Sequence, residues 1–349
     1  MSIRSRQNAY ARAGVDRDTE NETKEEMASA LETSDPRVLN KIGAFASLYD
    51  GHFPEYKHPV LVLKTEEPGT KQLLAFQHGS HETVCHDLIN HLVNDCIVMG
   101  AKPLSIQDCI VCGKVEKDAV VRMVNAFAEA AKNNACTLTG GETSWQPGTI
   151  PEGTYVLTAS VVGVVEKSLI IDGSKIQEGD TVLALASSGV HTSGFTLVRK
   201  ILESSPEIMK ESVAGKPLIE TLLTPHRAYY LALKDLFGHG GLAGLAHITG
   251  GGVKENLNRI LPRSLAAAVD LSKVRILPIF KTLKQFGGLD DADMLRTFNM
   301  GVGMTAVVRK GFADEAITHL KTNGVEAYEI GTIVPGAKEV AFIGELQWE

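Results

Sequence analysis

Val84-Cys85-His86-Asp87-Leu88-Ile89-Asn90-His91-Leu92-Val93-Asn94-Asp95-Cys96 decides how the chain is read. Val84, Leu88 and Leu92, with Cys85, Ile89, Val93 and Cys96, recur at helical spacing and predict a helix over 84–99 with one buried stripe. Gly100 follows where a helix ends in a left-handed residue. Asp87, His91 and Asp95 fall i, i+4, i+8 along one edge, beside Asn90 and Asn94. That face has no Lys, Arg or Glu, the residues that usually cover a solvated helix. Short carboxylates, amides and an imidazole suit a metal ion. The pattern leaves a ligand face and a solvated face both open.

Outward from this helix, Pro59–Lys64 reads as a buried strand, 104–112 as extended, 116–134 as an amphipathic helix, 137–139 as a short strand and 154–166 as a long β-branched strand. Ile171-Asp172-Gly173-Ser174 marks a break. Beyond it, strands are expected at 181–186, 302–308, 325–334 and 339–343. Helices are expected near 195–203, 225–237, 253–261, 277–286 and 312–323. Strands and helices mix in both halves without strict alternation. The expectation is an α/β (α+β) protein of two domains, 1–171 and 172–349, with a polar arm over 1–40.

The chain has 349 residues, 44% hydrophobic and 22% charged, with net charge −7, so no global positive field attracts nucleic acid. An anionic substrate must be held by local groups. The five cysteines are too few and odd in number for a disulfide framework, and Cys109-x-x-Cys112 has no second pair to complete a zinc site. The first residues lack the apolar core of a secretion signal, and no apolar run of about 18 residues occurs. The expected location is the cytoplasm, with no membrane partner.

Four loops add chemistry. Lys64-Thr65-Glu66-Glu67-Pro68-Gly69-Thr70-Lys71 follows a strand and pairs glycine with lysine, but GxxxxGK[ST] is absent and the pattern favours a plain turn. Gly140-Gly141-Glu142-Thr143 is either a glycine turn or a close backbone approach to a ligand. Ser187-Ser188-Gly189-Val190-His191-Thr192-Ser193-Gly194 precedes a helix. Thr192 or Ser193 could cap it, yet so many hydroxyls point to an anion site at the helix N-terminus. His247-Ile248-Thr249-Gly250-Gly251-Gly252 precedes another helix, and its glycines ask for close packing or a ligand.

These segments, in this order, resemble the phosphoribosylformylglycinamidine cyclo-ligase (aminoimidazole ribonucleotide synthetase) family over nearly the whole chain. The matching stretches include Ala13-Gly14-Val15-Asp16, Gly69-Thr70-Lys71, Val93-Asn94-Asp95, Gly140-Gly141-Glu142-Thr143, Ser187-Ser188-Gly189 with His191, Thr249-Gly250-Gly251-Gly252 and Thr297-Phe298-Asn299. The resemblance implies a homodimer whose N-terminal strands form a barrel across the interface. It also implies ATP and Mg2+, and closure of formylglycinamidine ribonucleotide to aminoimidazole ribonucleotide. By the same resemblance, Glu66, Asp87, Asp95 and Glu142 would serve the metal. Thr65, Glu66, Gly69, Thr70, Lys71, Asn94, Gly140, Gly141, Glu142 and Thr143 would serve the nucleotide. Ser187, Ser188, Gly189, His191, Thr192, Thr249, Gly250 and Gly251 would face the substrate. Lys71, Asp95, His191 and His247 are the catalytic candidates.

The chain departs from the family where Glu66-Glu67-Pro68-Gly69-Thr70-Lys71 replaces Asp-Gly-Val-Gly-Thr-Lys, and where Ser193 replaces asparagine. The competing readings are another ATP-dependent amide-activating enzyme of the superfamily, and a catalytically silent nucleotide-binding paralogue.

Overall fold

The computed structural model describes residues 17–28, 31–40, 44–114 and 116–348. Of the expected polar arm, 1–16 lies outside the described residues, and so does the Ala13–Asp16 match. Residues Arg17–Ala28 form a helix, α1, whose Met27 is buried. Lys117 pairs with Glu22 and Glu26 of that helix.

The chain then runs β1 (Pro59–Glu66), α2 (Lys71–Gln77), α3 (His81–Ile97), β2 (Lys102–Cys112), α4 (Lys117–Asn133), β3 (Thr137–Trp145) and β4 (Tyr155–Glu166). These strands make a four-stranded sheet in the order β1-β4-β2-β3, antiparallel except for β2 with β3. Helices α3 and α4 pack on one face through Leu88, Leu92, Met123 and Phe127, all fully buried. Alternation leaves Leu61, Leu63 and Val156 on the other, open face.

The second half runs β5 (Thr181–Ala186), α5 (Phe195–Ser204), β6 (Leu242–His247), α6 (Gly252–Ile260), β7 (Leu265–Asp270), α7 (Pro278–Gly287), α8 (Asp291–Thr297), β8 (Val302–Val308), α9 (Ala313–Thr322), β9 (Ala327–Pro335) and β10 (Val340–Ile343). Its six-stranded sheet has the order β10-β7-β9-β5-β8-β6, antiparallel except for β10 with β7. The continuous apolar runs of β5 and β8 follow from position, since both are internal strands.

Several expectations need correction. Strand β3 continues through Trp145, so Gly140-Gly141-Glu142-Thr143 lies in a strand and is not a turn. A Cβ on Gly141 would stand 2.3 Å from the Asp108 carbonyl oxygen on β2, a contact only glycine avoids. Strands β6 and β7 and helices α2 and α8 were not anticipated. Cys109 and Cys112 leave β2 on opposite faces, so they share no ligand.

The largest correction concerns 225–237. Only Tyr230–Leu233 is α-helical, followed by a 3-10 turn, and 224–229 is irregular, with His226 and Tyr229 buried. A buried irregular backbone must find partners for its polar groups. Here α3 supplies them. Asn90 Nδ2 donates to the His226 carbonyl at 2.7 Å, and Asn94 Nδ2 donates to the Arg227 carbonyl at 2.8 Å. The His226 amide donates to Asp87 Oδ1 at 2.7 Å, and the Tyr229 amide to Asn94 Oδ1 at 3.2 Å. Pro225 also disfavours a helical conformation at Thr224. The face left open between ligands and solvent is thus neither for most of its length; it reads the backbone of the second half.

Lys71 completes this seam. Its ammonium lies 2.9 and 2.8 Å from the two Asp87 oxygens and donates to the Thr224 carbonyl at 2.9 Å, with both side chains fully buried. Asp87→Ala therefore leaves a buried ammonium uncompensated and is expected to cost about 3–5 kcal/mol in urea unfolding. Lys71→Met combined with Asp87→Leu is expected to cost less than either single change. Additive losses in the double variant would contradict the pairing.

Candidate functional site

Where α3 runs out from under the 224–229 segment, its last polar turn meets the end of β1, the end of β6 and the 187–194 loop. Strand alternation sends Lys64 and Glu66 towards α3, and Thr65 to the open face, where its hydroxyl meets Ser160 Oγ at 2.8 Å. Lys64 Nζ lies 2.8 Å from Glu66 Oε2 and 3.1 Å from Asp95 Oδ2. The other Asp95 oxygen, Oδ1, lies 2.7 Å from His247 Nδ1. His247 Nε2 lies 2.9 Å from His226 Nε2, and His226 Nδ1 lies 3.4 Å from Thr192 Oγ1. Thr192 Oγ1 in turn lies 2.9 Å from His91 Nδ1. The remaining His91 nitrogen, Nε2, stands 3.8 Å from Glu66 Oε2 and 3.8 Å from Asp95 Oδ2. The Glu66 and Asp95 side chains keep 20% and 21% of their surface exposed, so this end of the network opens to solvent.

Burial sets the charges. It works to raise the Asp95 carboxyl, but the His247 hydrogen bond, the nearby histidines and Lys64 hold it well below the ordinary carboxylate range. His91 is pushed down to about 4, first by burial and then by the charge of His247. His191 and His226 are held well below the ordinary imidazole value by complete burial, and neighbouring cationic groups add to it.

The sequence candidates divide accordingly. Asp95 and Glu66 face the opening together, and His247 sits behind Asp95. Lys71 and Asp87 do not join them. Their charges face each other and the 224–226 backbone, in the seam between the two halves and not at the opening. Asn94 likewise serves the backbone. Glu142 stands on β3, the sheet edge opposite β1, and three strand spacings put it about 14 Å from Glu66 within one chain. Gly140 and Thr143 share that strand.

In the 187–194 loop, Asn299 holds the turn by donating to the carbonyls of Gly189 and Val190 at 2.9 and 3.1 Å, while Ser187 Oγ lies 3.1 Å from its Oδ1. Ser188 Oγ donates to the Pro225 carbonyl at 2.6 Å. His191, in a left-handed conformation (φ 64°), accepts the Ser188 amide on Nε2 at 3.1 Å and stacks on His226 with centroids 3.9 Å apart. Its Nδ1 is buried without a partner, so it shapes the loop and lies away from the opening. Neither Thr192 nor Ser193 caps α5; the N-cap is Gly194, and no side chain takes the first amides of that helix. Gly69 packs against the Thr192 carbonyl, and Thr70 Oγ1 lies 3.2 Å from Thr196 Oγ1. At 249–252, Asn256 Nδ2 donates to the Gly250 and Gly252 carbonyls at 3.1 and 2.9 Å. A Cβ on Gly252 would stand 2.2 Å from the Leu295 carbonyl oxygen, so helix packing explains that glycine, whereas Gly250 borders open space.

Sequence reasoning missed His226, singled out the loop that begins at Lys64 without assigning that lysine to the site, and placed His91 on the edge weighed as a ligand face. The signal for His91 was its i, i−4 and i+4 spacing to Asp87 and Asp95. His226 had none, because the predicted helix concealed it.

The depressed histidines make stability pH-dependent. Below about pH 6.5 the unfolded chain takes up protons that folded His91, His191 and His226 refuse. Stability is therefore expected to be complete above that value and to fall as pH drops towards about 4, by about 1.4 kcal/mol per pH unit for each histidine. Urea midpoints measured across this range check it; a flat profile contradicts the buried neutral cluster.

The chain matches the family models described as AIR synthase related protein, N-terminal domain, over residues 56–165, and C-terminal domain, over residues 177–344. It is 43% identical over 326 residues to a phosphoribosylformylglycinamidine cyclo-ligase of Burkholderia ambifaria (strain MC40-6), covering 93% of each protein. It is 42% identical, with the same coverage, to that of Burkholderia multivorans (strain ATCC 17616 / 249). Its fold is similar to E. coli HypE, a hydrogenase maturation protein, with a TM-score of 0.67 at 16% identity over 93% of each chain. It is also similar to thiamine-monophosphate kinase from Stenotrophomonas maltophilia K279a, with a TM-score of 0.63 at 18% identity over 94% of this chain and 96% of the other. Matched in both halves by the family's models and by these relatives along nearly their whole length, the chain belongs to the AIR synthase-related family of phosphoribosylformylglycinamidine cyclo-ligases.

Proposed function

We propose that the protein is a ligase that closes the imidazole ring of formylglycinamidine ribonucleotide, consuming ATP and giving aminoimidazole ribonucleotide, ADP and phosphate. The observation that carries this reading is the 43% identity to a relative of that name over 93% of both chains. The chemistry needs activation because a formamide oxygen leaves poorly. That oxygen attacks the γ-phosphorus of ATP, the bond to ADP breaks, and an iminophosphate forms. The amidine nitrogen then attacks the activated carbon within the same molecule. The carbon–oxygen bond to phosphate breaks and one nitrogen proton is released.

Positioning and charge are what the protein must supply. Glu66 and Asp95 would hold Mg2+, since each is half-buried and two carboxylates plus substrate oxygens are what that ion takes. When bound, Mg2+ supplies positive charge beside the nucleotide phosphates. Lys64 adds an ammonium at the same opening. His247 holds Asp95 in its orientation. Ser188, Thr192 and the uncapped amides of α5 favour the substrate's own phosphate. Glu142, with Gly140, Gly141 and Thr143, remains outside the cation site of its own chain.

We divide the chain after Ile171 into a nucleotide-binding half and a second α/β half, working in the cytoplasm. We assign the open sheet face to a second copy, with the strands of two chains closing a barrel. Leu61, Leu63 and Val156, exposed by 53, 71 and 37%, support this pairing.

Leu63→Glu is expected to convert a dimer into a monomer in light scattering; an unchanged mass contradicts the interface. For activity, ADP release is expected only with formylglycinamidine ribonucleotide present, with an equal yield of aromatic amine. Asp95→Asn is expected to lower kcat by about a hundredfold or more. ATP binding without product would replace the cyclo-ligase reading by a silent nucleotide-binding one.

A further inference from the structure

We propose that Asn299 is a positioning residue for the 187–194 loop: its side chain holds that loop in the bend that presents its free amides, with those of the first turn of α5, to the substrate's phosphate. The proposal rests on the reading of this loop as the phosphate seat. It adds a residue that lies outside the loop, 110 positions beyond Gly189.

The loop is rich in donors and poor in acceptors. Ser187 donates its amide to the Gly301 carbonyl at 2.9 Å, and Ser188 donates its amide to His191 Nε2 at 3.1 Å. From Gly189 to Gly194, no amide meets an acceptor among the described residues. In α5 the first amide bonded to the chain is that of Val198, which reaches the Gly194 carbonyl at 3.0 Å, and no side chain caps the three before it. Yet Val190, His191 and Thr192 are exposed by only 1, 2 and 6%. A run of backbone donors in a buried, irregular stretch asks for an acceptor from outside the chain, and the oxygens of one anion supply several at once.

Those donors are useful only if the loop keeps one shape, and the shape it keeps is a costly one. His191 is left-handed, with φ 64°. Within the loop, Ser187 Oγ donates to the Gly189 carbonyl at 3.0 Å. The firmer hold comes from Asn299, which is 3% exposed. Its Oδ1 accepts from the Gly301 amide at 2.8 Å, and its Nδ2 donates to the Gly189 and Val190 carbonyls at 2.9 and 3.1 Å. Backbone groups alone fix the orientation of this carboxamide, because the Gly301 amide can only donate and the two carbonyls can only accept.

This hold also sets the direction of the amides. In a trans peptide the carbonyl and the amide of one unit point opposite ways. Drawing the carbonyls of Gly189 and Val190 towards Asn299 therefore turns the amides of Val190 and His191 away from it. The neighbouring residue grips the other end of the loop. A Cβ on Gly194, the N-cap of α5, would stand 2.6 Å from the Phe298 ring. Phe298 and Asn299 thus hold both ends of the same loop.

Asn299→Asp is the informative change. It keeps the size and the oxygen facing Gly301, and it replaces the donor by a second oxygen facing two carbonyls. The full chain is titrated by calorimetry with ribose 5-phosphate and separately with ATP, and KM is measured for formylglycinamidine ribonucleotide and for ATP. Asn299→Asp is expected to weaken ribose 5-phosphate binding, and to raise KM for the ribonucleotide, by at least about tenfold, with both ATP values within about twofold. A purely structural role would move both ligands together, in step with a lower melting temperature. That outcome overturns the proposal, as does unchanged ribose 5-phosphate binding in the variant or none in wild type. Asn299→Ser, which adds no buried charge, carries the same expectations if Asn299→Asp does not fold. Wild type that binds ribose 5-phosphate but closes no ring would refute the ring-closing reading alone, because the calorimetric comparison needs no turnover.

Discussion

The polar face of α3 is buried against a stretch of chain that makes no regular structure, and much else follows from that contact. Residues 224–229 carry backbone donors and acceptors into the interior, where an unpaired group costs about 1–3 kcal/mol. Asp87, Asn90 and Asn94 answer four of those groups with their side chains. Asn134, just past the end of α4, donates to Asn90 Oδ1 at 2.7 Å, so the arrangement is tied into the four-stranded half as well. The Lys71–Asp87 pair closes the inner end. The two sheets are therefore joined by specific hydrogen bonds, which fix their relative setting more tightly than apolar contact alone would.

That fixed setting creates the site. Each element at the opening comes from a different part of the chain: β1 supplies Lys64 and Glu66, α3 supplies His91 and Asp95, the 187–194 loop supplies Thr192, and the second half supplies His226 and His247. The polar face of the helix takes two roles side by side. Asp87, Asn90 and Asn94 read backbone, while His91 and Asp95 face a group of histidines and solvent. The same i, i+4 spacing serves both because the irregular segment crosses only part of the face.

Burial also explains why so many histidines can share one small volume. Charged imidazoles packed at centroid distances of 3.9 to 5.3 Å would repel strongly. With His91, His191 and His226 held neutral, the cluster becomes a set of directional hydrogen-bonding groups linking Asp95 to His91. Acidity is thereby the natural enemy of this fold, and the open end of the network is where chemistry with cations belongs.

Sequence alone determined the elements whose patterns are strong and local. The α3 stripe, the amphipathic α4 and the β-branched β4 were legible because side-chain period reflects the face buried. The order of loops was legible too, and it pointed to the family. What the sequence could not decide was which polar residues meet. Lys71 and Lys64 are both lysines flanking a glycine-containing loop, yet one is sealed in the seam and the other reaches the opening, because strand alternation and the turn into α2 aim them differently. Asp87 and Asp95 lie on one helical edge two turns apart, and only the path of 224–229 separates a structural carboxylate from an available one. Helical propensity over 225–237 yielded to tertiary hydrogen bonds at its start. Local pattern records burial, while the partner of a buried polar group is set by distant chain, and only the folded structure brings that partner into place.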